Sequence, residues 1–200
     1  MTPANATKKA LRTAKHNVRL KKIMDTIILI GPIGAGKTTQ GKLLAKKLGM
    51  PRVSYDDVKG KYWKRLGLNR NVANSIEKEN GIYAMLSYMN EFKSKTVSSI
   101  VNDYPGHIID FGGAQTFDEP HQVEMVREVF EPISNIFLLL PSNDLATNIK
   151  ELPGLKENYP INAYLIMHET NELFAKKIIY TLGKTPEEIM NEIISQIKNN

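Results

Sequence analysis

Two hundred residues with 42% hydrophobic and 24% charged side chains describe a soluble globular chain of one ordinary domain, large enough to bury a core. No stretch approaches the roughly 18 apolar residues of a membrane span, and no apolar leader core follows the first residues, so a cytoplasmic address is expected. Cysteine is absent, which excludes disulfides and thiolate metal sites.

The net charge of +6 is concentrated at one end. Residues 1–24 hold Lys8, Lys9, Arg12, Lys15, Arg19, Lys21 and Lys22 with no acid, leaving 20 of the 27 basic residues against all 21 acids in 25–200. As a helix this tail would line up Lys8, Arg12, Lys15, Arg19 and Lys22, and like charges at that spacing oppose an isolated helix. Residues 1–24 read as a basic, flexible extension to a domain spanning 25–200. An organelle-targeting presequence, or a patch for anionic membrane or nucleic acid, remains the alternative.

Thr26 to Ile30 is a short apolar, β-branched run, the signature of a buried parallel strand. Gly31-Pro32-Ile33-Gly34-Ala35-Gly36-Lys37-Thr38 follows, and then a helical pattern from Lys37 to Leu48 that Gly49 stops. Strand, glycine loop and helix together are the context a phosphate-binding loop requires. Gly31, Gly34 and Gly36 let backbone N–H groups converge on phosphate oxygens at a helix N-terminus. Lys37 supplies a mobile positive charge for the β- and γ-phosphates, and Thr38 a hydroxyl for Mg²⁺, a hard cation that prefers oxygen.

Pro51 to Ser54 reads as a second strand ending at Tyr55-Asp56-Asp57, with a helix from about Val58 to Leu66 and a loop through Gly67–Arg70. A longer helix is predicted from Gly81 to Asn102, with Tyr83, Leu86, Met89, Phe92 and Val97 on its buried stripe. His107 to Asp110 is a third strand, followed by Phe111-Gly112-Gly113, and Pro120 opens another helix. Ile136 to Leu140 is a fourth strand, followed by helices near 143–151 and 162–176 and a brief fifth strand, Ile178–Thr181. Thr185-Pro186-Glu187-Glu188 is a capping box that launches the last helix, to about Lys198. Strands alternating with helices imply a doubly wound α/β sheet with its ligand crevice at the strands' C-terminal ends.

That rule brings three carboxylates near the loop. Asp110 closes an apolar strand, where it either holds the magnesium shell or caps the Gly112-Gly113 turn. Asp56 and Asp57 either position an acceptor hydroxyl and take its proton or cap the following helix. Arg65 and Arg70, with Lys61 and Lys64, either bind an anionic acceptor or form a solvated basic face. Tyr62, Trp63, Tyr83 and Tyr88 read as core packing or as a cluster over the crevice. His107, His121 and His168 show no ligand spacing and read as ordinary structural or surface residues.

With these residues in view, the chain resembles the P-loop small-molecule kinases, nearest the shikimate-kinase-like group. The likeness is carried by Gly31 through Leu48, including Ala35 and Thr39. Tyr55-Asp56-Asp57, Ile108 through Gly113, and Tyr180 through Glu188 add to it. It covers about residues 25–200 and implies a five-stranded parallel sheet ordered 2-3-1-4-5 with a lid between strands 4 and 5. It implies ATP and Mg²⁺ as cofactors, with transfer of the γ-phosphoryl group to a small hydroxyl or phosphate acceptor. Gly31, Gly34, Ala35, Gly36, Lys37, Thr38 and Thr39 would hold the nucleotide, with Gly183 and Lys184 at its base; Asp56 or Asp57 and Gly112-Gly113 would hold the acceptor.

The chain departs from the pattern twice. Shikimate kinases carry two aspartates separated by one residue, whereas Asp56 and Asp57 adjoin, which points away from shikimate as acceptor. The family also places arginines in the lid, a device worth about 10³ or more in rate where such fingers act. Here Arg127 is the last arginine, and 143–160 offers Lys150 and Lys156. A nucleotide-binding sensor with little turnover is therefore the second reading.

Overall fold

The computed structural model describes residues 23–112, 116–152 and 166–197, together with 13, 14, 17–19, 21 and 164. Gly113, Lys156, most of the expected lid and residues 1–12 lie outside these.

Five parallel strands form one sheet: β1 (Ile27–Ile30), β2 (Arg52–Ser54), β3 (Ile108–Asp110), β4 (Asn135–Leu140) and β5 (Lys177–Tyr180). Their order is β2-β3-β1-β4-β5, the order the resemblance implied. β1 is central and entirely buried, pairing Ile27 with Ile108 on one side and with Asn135 on the other. Alternation splits its side chains between two cores. Ile28 and Ile30 pack with Val97, Ile100, Phe111 and Phe130, whereas Ile27 and Leu29 pack with Leu44, Phe137, Ile189 and Ile193.

The helices are α1 (Lys37–Leu48), α2 (Tyr55–Leu66), α3 (Arg70–Asn80), α4 (Ile82–Asp103), α5 (Pro120–Phe130), α6 (Leu145–Glu151), α7 (Thr170–Phe174) and α8 (Pro186–Ser195). α1 has the predicted bounds, with Gly49 closing it in a left-handed conformation at φ 64°. The capping box of α8 is fully formed: the Thr185 hydroxyl accepts from Glu188 N, and the Glu188 carboxylate accepts from Thr185 N at 2.7 Å.

Four expectations are corrected. α2 starts at Tyr55 rather than Val58, because Ser54 ends the strand and serves directly as its N-cap residue. α3 begins at Arg70, the last residue of the expected loop, and fills 71–80, where no element is expected: it is mostly polar and buries Ala73, and its start is secured by Asn69, whose side chain accepts from Asn71 N and Val72 N. Of the stripe expected on α4, only Val97 is fully buried and Tyr83 is exposed; the buried face runs through Asn90, Ser94, Val97 and Val101. The helix expected over 162–176 is interrupted at His168, whose Nδ1 accepts from Thr170 N and whose carbonyl accepts from Asn171 Nδ2.

Arg19 donates to the Asn102 carbonyl, and Ile23 packs against the core on the α4 face. Among the described residues no helix is long and apolar enough to cross a membrane.

Candidate functional site

Gly31 and Gly36 show why the loop takes its shape. Gly31 has φ +138°, and a Cβ there would lie 2.4 Å from the Leu139 carbonyl oxygen, so only glycine lets the loop leave β1 against β4. Gly36 turns the chain into α1 in a left-handed conformation at φ 88°. Lys37 and Thr38 thereby fall in the first turn of α1, at its positive end.

A cleft of about 320 Å³ opens above them, lined by Gly34, Gly36, Lys37 and Thr38 with Ile33 and Thr39, and on the far side by Asp56 and Gly112. Lys37 is only 6% exposed, and its ammonium donates to the Pro32 carbonyl at 2.7 Å. Burial pushes its pKa down to about 8, against the opposing pull of Asp110 and Asp56.

Asp56 and Asp57 now separate. Residues in a helix are offset by about 100° each, so adjacent side chains diverge. Asp56 lines the cleft, with its carboxylate against the Gly112 α-carbon and paired with Lys59; Asp57 is exposed and does not line it. Neither caps α2 through its side chain, although both suit the dipole of its first turn.

Asp110 is 1% exposed. Arg52 Nη2 donates to its Oδ2 at 2.6 Å, while Oδ1 is buried without a hydrogen-bond partner. Ser54 is its register neighbour on β2. Arg52 and Ser54 flank Asp110 without lining the cleft, and neither was expected there. The available signal was a charged residue two positions before Ser54 in a strand, which puts both on the same face of the sheet.

Other assignments shift. Ala35 packs its side chain into the core and turns its N–H back to the Pro32 carbonyl at 3.3 Å, so it contributes neither group to the cleft. Arg65 stacks on the Tyr62 ring at 5.0 Å and Arg70 on Trp63 at 5.2 Å. Neither lines the cleft beside Lys37; Arg70, with Trp63, Lys64 and Asn69, lines a separate hollow of about 570 Å³ between α2 and α3. Gly183 and Lys184 follow β5, where Gln40 of α1 holds the Pro186 carbonyl at 3.0 Å, but Lys184 pairs with Glu192 at 2.6 Å.

The aromatic residues form no single cluster. Tyr62 is buried and donates to Asp103, and Trp63 contacts Tyr55, whereas Tyr83 meets Tyr164 and Tyr88 meets Phe92. His168 and Tyr164 both engage Asp118, which Asn90 also serves as donor.

No protein-family model matches the chain. A shikimate kinase of Persephonella marina is 30% identical over 188 residues, covering 88% of this chain and 100% of that protein. The chain belongs to the shikimate kinase family. A shikimate kinase of Enterococcus faecalis is 29% identical over 183 residues, covering 88% of this chain and 99% of its own length. The fold agrees: a shikimate kinase from Acinetobacter baumannii in complex with shikimate superposes with a TM-score of 0.54 at 16% identity, over 86% of this chain and 95% of that one. The shikimate kinase from Bacteroides thetaiotaomicron gives 0.53 at 18% identity, over 85% and 96%. As a member of this family the chain is an ATP-dependent small-molecule kinase, a phosphotransferase, and the low-turnover sensor reading is not favoured.

Proposed function

We propose that the chain transfers the γ-phosphoryl group of Mg·ATP to a hydroxyl of a small acceptor seated in the cleft beside Asp56 and Gly112. One observation carries this reading: the Asp56 carboxylate faces Lys37 and Thr38 across the same cleft.

The loop amides and Lys37 bind the β- and γ-phosphates, Lys37 exchanging the Pro32 carbonyl for a phosphate oxygen. The residues present fit Mg²⁺: Thr38 offers a hydroxyl and Asp110 a buried oxygen without a protein partner. Among the described residues no three ligating side chains cluster, which suits a metal held largely by phosphate and water. When bound, the ion neutralises charge on the phosphates. Asp56 orients the acceptor hydroxyl and takes its proton as the oxygen bonds to the γ-phosphorus and the bond to ADP breaks. Burial of Lys37 keeps its ammonium poorly hydrated, which strengthens its grip on a polyanion.

Shikimate is the first acceptor to test, because it is the substrate named for the relatives. The residue two before Asp56 is Ser54, not a second acid, and Asp110 stands beside it in register on β3. This altered pair favours an acceptor related to shikimate in size and hydroxylation but different in the groups around the reacting hydroxyl.

The test measures ADP release across a panel of hydroxylated small acids and sugars, shikimate included. One acceptor is expected to give ADP in equal amount to a phosphomonoester product. Tight ATP binding with no acceptor-dependent ADP release across the panel would refute the proposal and restore the sensor reading.

A further inference from the structure

Two charges pair beneath α1, and a third opens that helix. Arg52 projects from β2, Asp110 closes β3, and Lys37 opens the helix above them. The Asp110 side chain is 2% exposed and that of Arg52 17%. A carboxylate so buried needs a cation, and Arg52 supplies it, bonded to Oδ2 at 2.6 Å; the charge of Asp110 also acts on Lys37. Lys37 is not spent on it, since its ammonium goes to the Pro32 carbonyl. The pair is sealed from above at Gly41 of α1, where a Cβ would lie 3.0 Å from Arg52 Nε and 3.5 Å from Asp110 Oδ2.

We propose that Arg52 is a positioning residue for phosphoryl transfer: by holding Asp110 through Oδ2, it leaves Lys37 free for the nucleotide phosphates. A buried ion pair is weak evidence for added stability, because desolvation offsets most of the attraction. Its value here lies in competition. Without Arg52 the buried Asp110 turns to the other cation coupled to it, and a Lys37–Asp110 pair locks the phosphate-binding ammonium inside its own loop. The guanidinium suits this task because it is planar and weakly hydrated, so it tolerates burial beside a carboxylate. Oδ1 meanwhile is buried and keeps no protein partner. The inference rests on the proposed nucleotide site, with Lys37 as the phosphate ligand.

The test is calorimetric binding of ATP in EDTA to the wild type, Arg52→Met and the double variant Arg52→Met/Asp110→Asn, with thermal melts of each. Arg52→Met is expected to lose about tenfold or more in metal-free ATP affinity, the scale of leaving one buried charge to find a new partner. The double variant, which removes the carboxylate that captures Lys37, is expected to recover to within about threefold of wild type. A merely structural role gives no such recovery.

Wild-type affinity in Arg52→Met, or a double variant as weak as the single, overturns the proposal. Should Arg52→Met not fold, Arg52→Lys and the double variant decide. Both are expected to bind metal-free ATP nearly as the wild type does, and a tenfold loss in either, by the same scale, overturns it. Failure of the wild type to bind ATP at all instead overturns the nucleotide site, and the proposal with it; the two failures are told apart by the wild-type titration.

Discussion

The Asp56 carboxylate lies directly over the Gly112 α-carbon: a Cβ on residue 112 would be 2.1 Å from Oδ2 and 2.6 Å from Cγ. Gly112 has no positive φ, so alanine fits its backbone, and the three atoms nearest the added Cβ all belong to the Asp56 carboxylate. Gly112→Ala should move Asp56 by an ångström or more and lower kcat/KM about 100-fold, the usual cost of such a misplacement. Circular dichroism and ATP affinity should stay near wild type. Full activity in that variant would show that Asp56 does not work from its present position.

The two adjacent acids should differ sharply. Asp56→Asn removes the proton acceptor and should lower kcat by about 10²–10⁴ with ATP affinity retained. Asp57→Asn touches an exposed side chain outside the cleft and should leave kcat within about threefold. Steady-state kinetics on both variants decide this, and equal losses would contradict the division of roles.

Lys37 is held in a place that costs the empty protein stability. Its pKa falls to about 8 from an unfolded value of 10.5, so between these the unfolded chain binds more protons and stability rises with pH. The full effect is on the order of 3 kcal/mol, absent above the unfolded pKa and borne in full below about pH 8. Lys93, lowered to about 8 by burial as well, acts over the same window. Lys37→Met should therefore melt no lower than wild type at pH 7 and show a flatter rise toward pH 10, while ATP affinity falls about 100-fold. Denaturant melts at several pH values and calorimetry check both; an unchanged ATP affinity would refute the phosphate role.

The cap at α8 offers a control far from chemistry. Thr185→Ala removes the hydroxyl that accepts from Glu188 N and should cost about 1 kcal/mol, a drop of roughly 2–4 °C in Tm. ATP affinity should change little, because α8 meets α1 through Gln40 and Pro186 rather than through the cleft. A loss of ATP affinity larger than the loss of stability would place the loop after β5 at the nucleotide.

Signals that act within a few residues were legible from the chain. The apolar run of β1, the glycines that must turn at 31 and 36, the stop at Gly49 and the box at Thr185 are each fixed by local backbone and side-chain chemistry, and the structure places them where they were read. α3 escaped because Val72, Ala73 and Ile76 are its whole apolar face and only Ala73 is buried, too few apolar residues to mark a helix in the chain.

Side-chain direction was not legible, because it depends on which faces pack. Asp56 and Asp57 are equivalent in composition, and only the start of α2 at Tyr55 and its seat on the sheet turn one toward Lys37 and the other to solvent. Arg65 and Arg70 carry the charge expected of acceptor ligands, yet Tyr62 and Trp63 beside them take up their guanidinium groups. The Arg52–Asp110 pair joins residues 58 apart in sequence through parallel strands in register. Such a pair forms by the free energy of sheet assembly and burial, not by any preference of its own segments. The sequence thus specified a phosphate-binding loop on a parallel sheet; the folded packing chose the carboxylate that faces it and the cation that holds its neighbour.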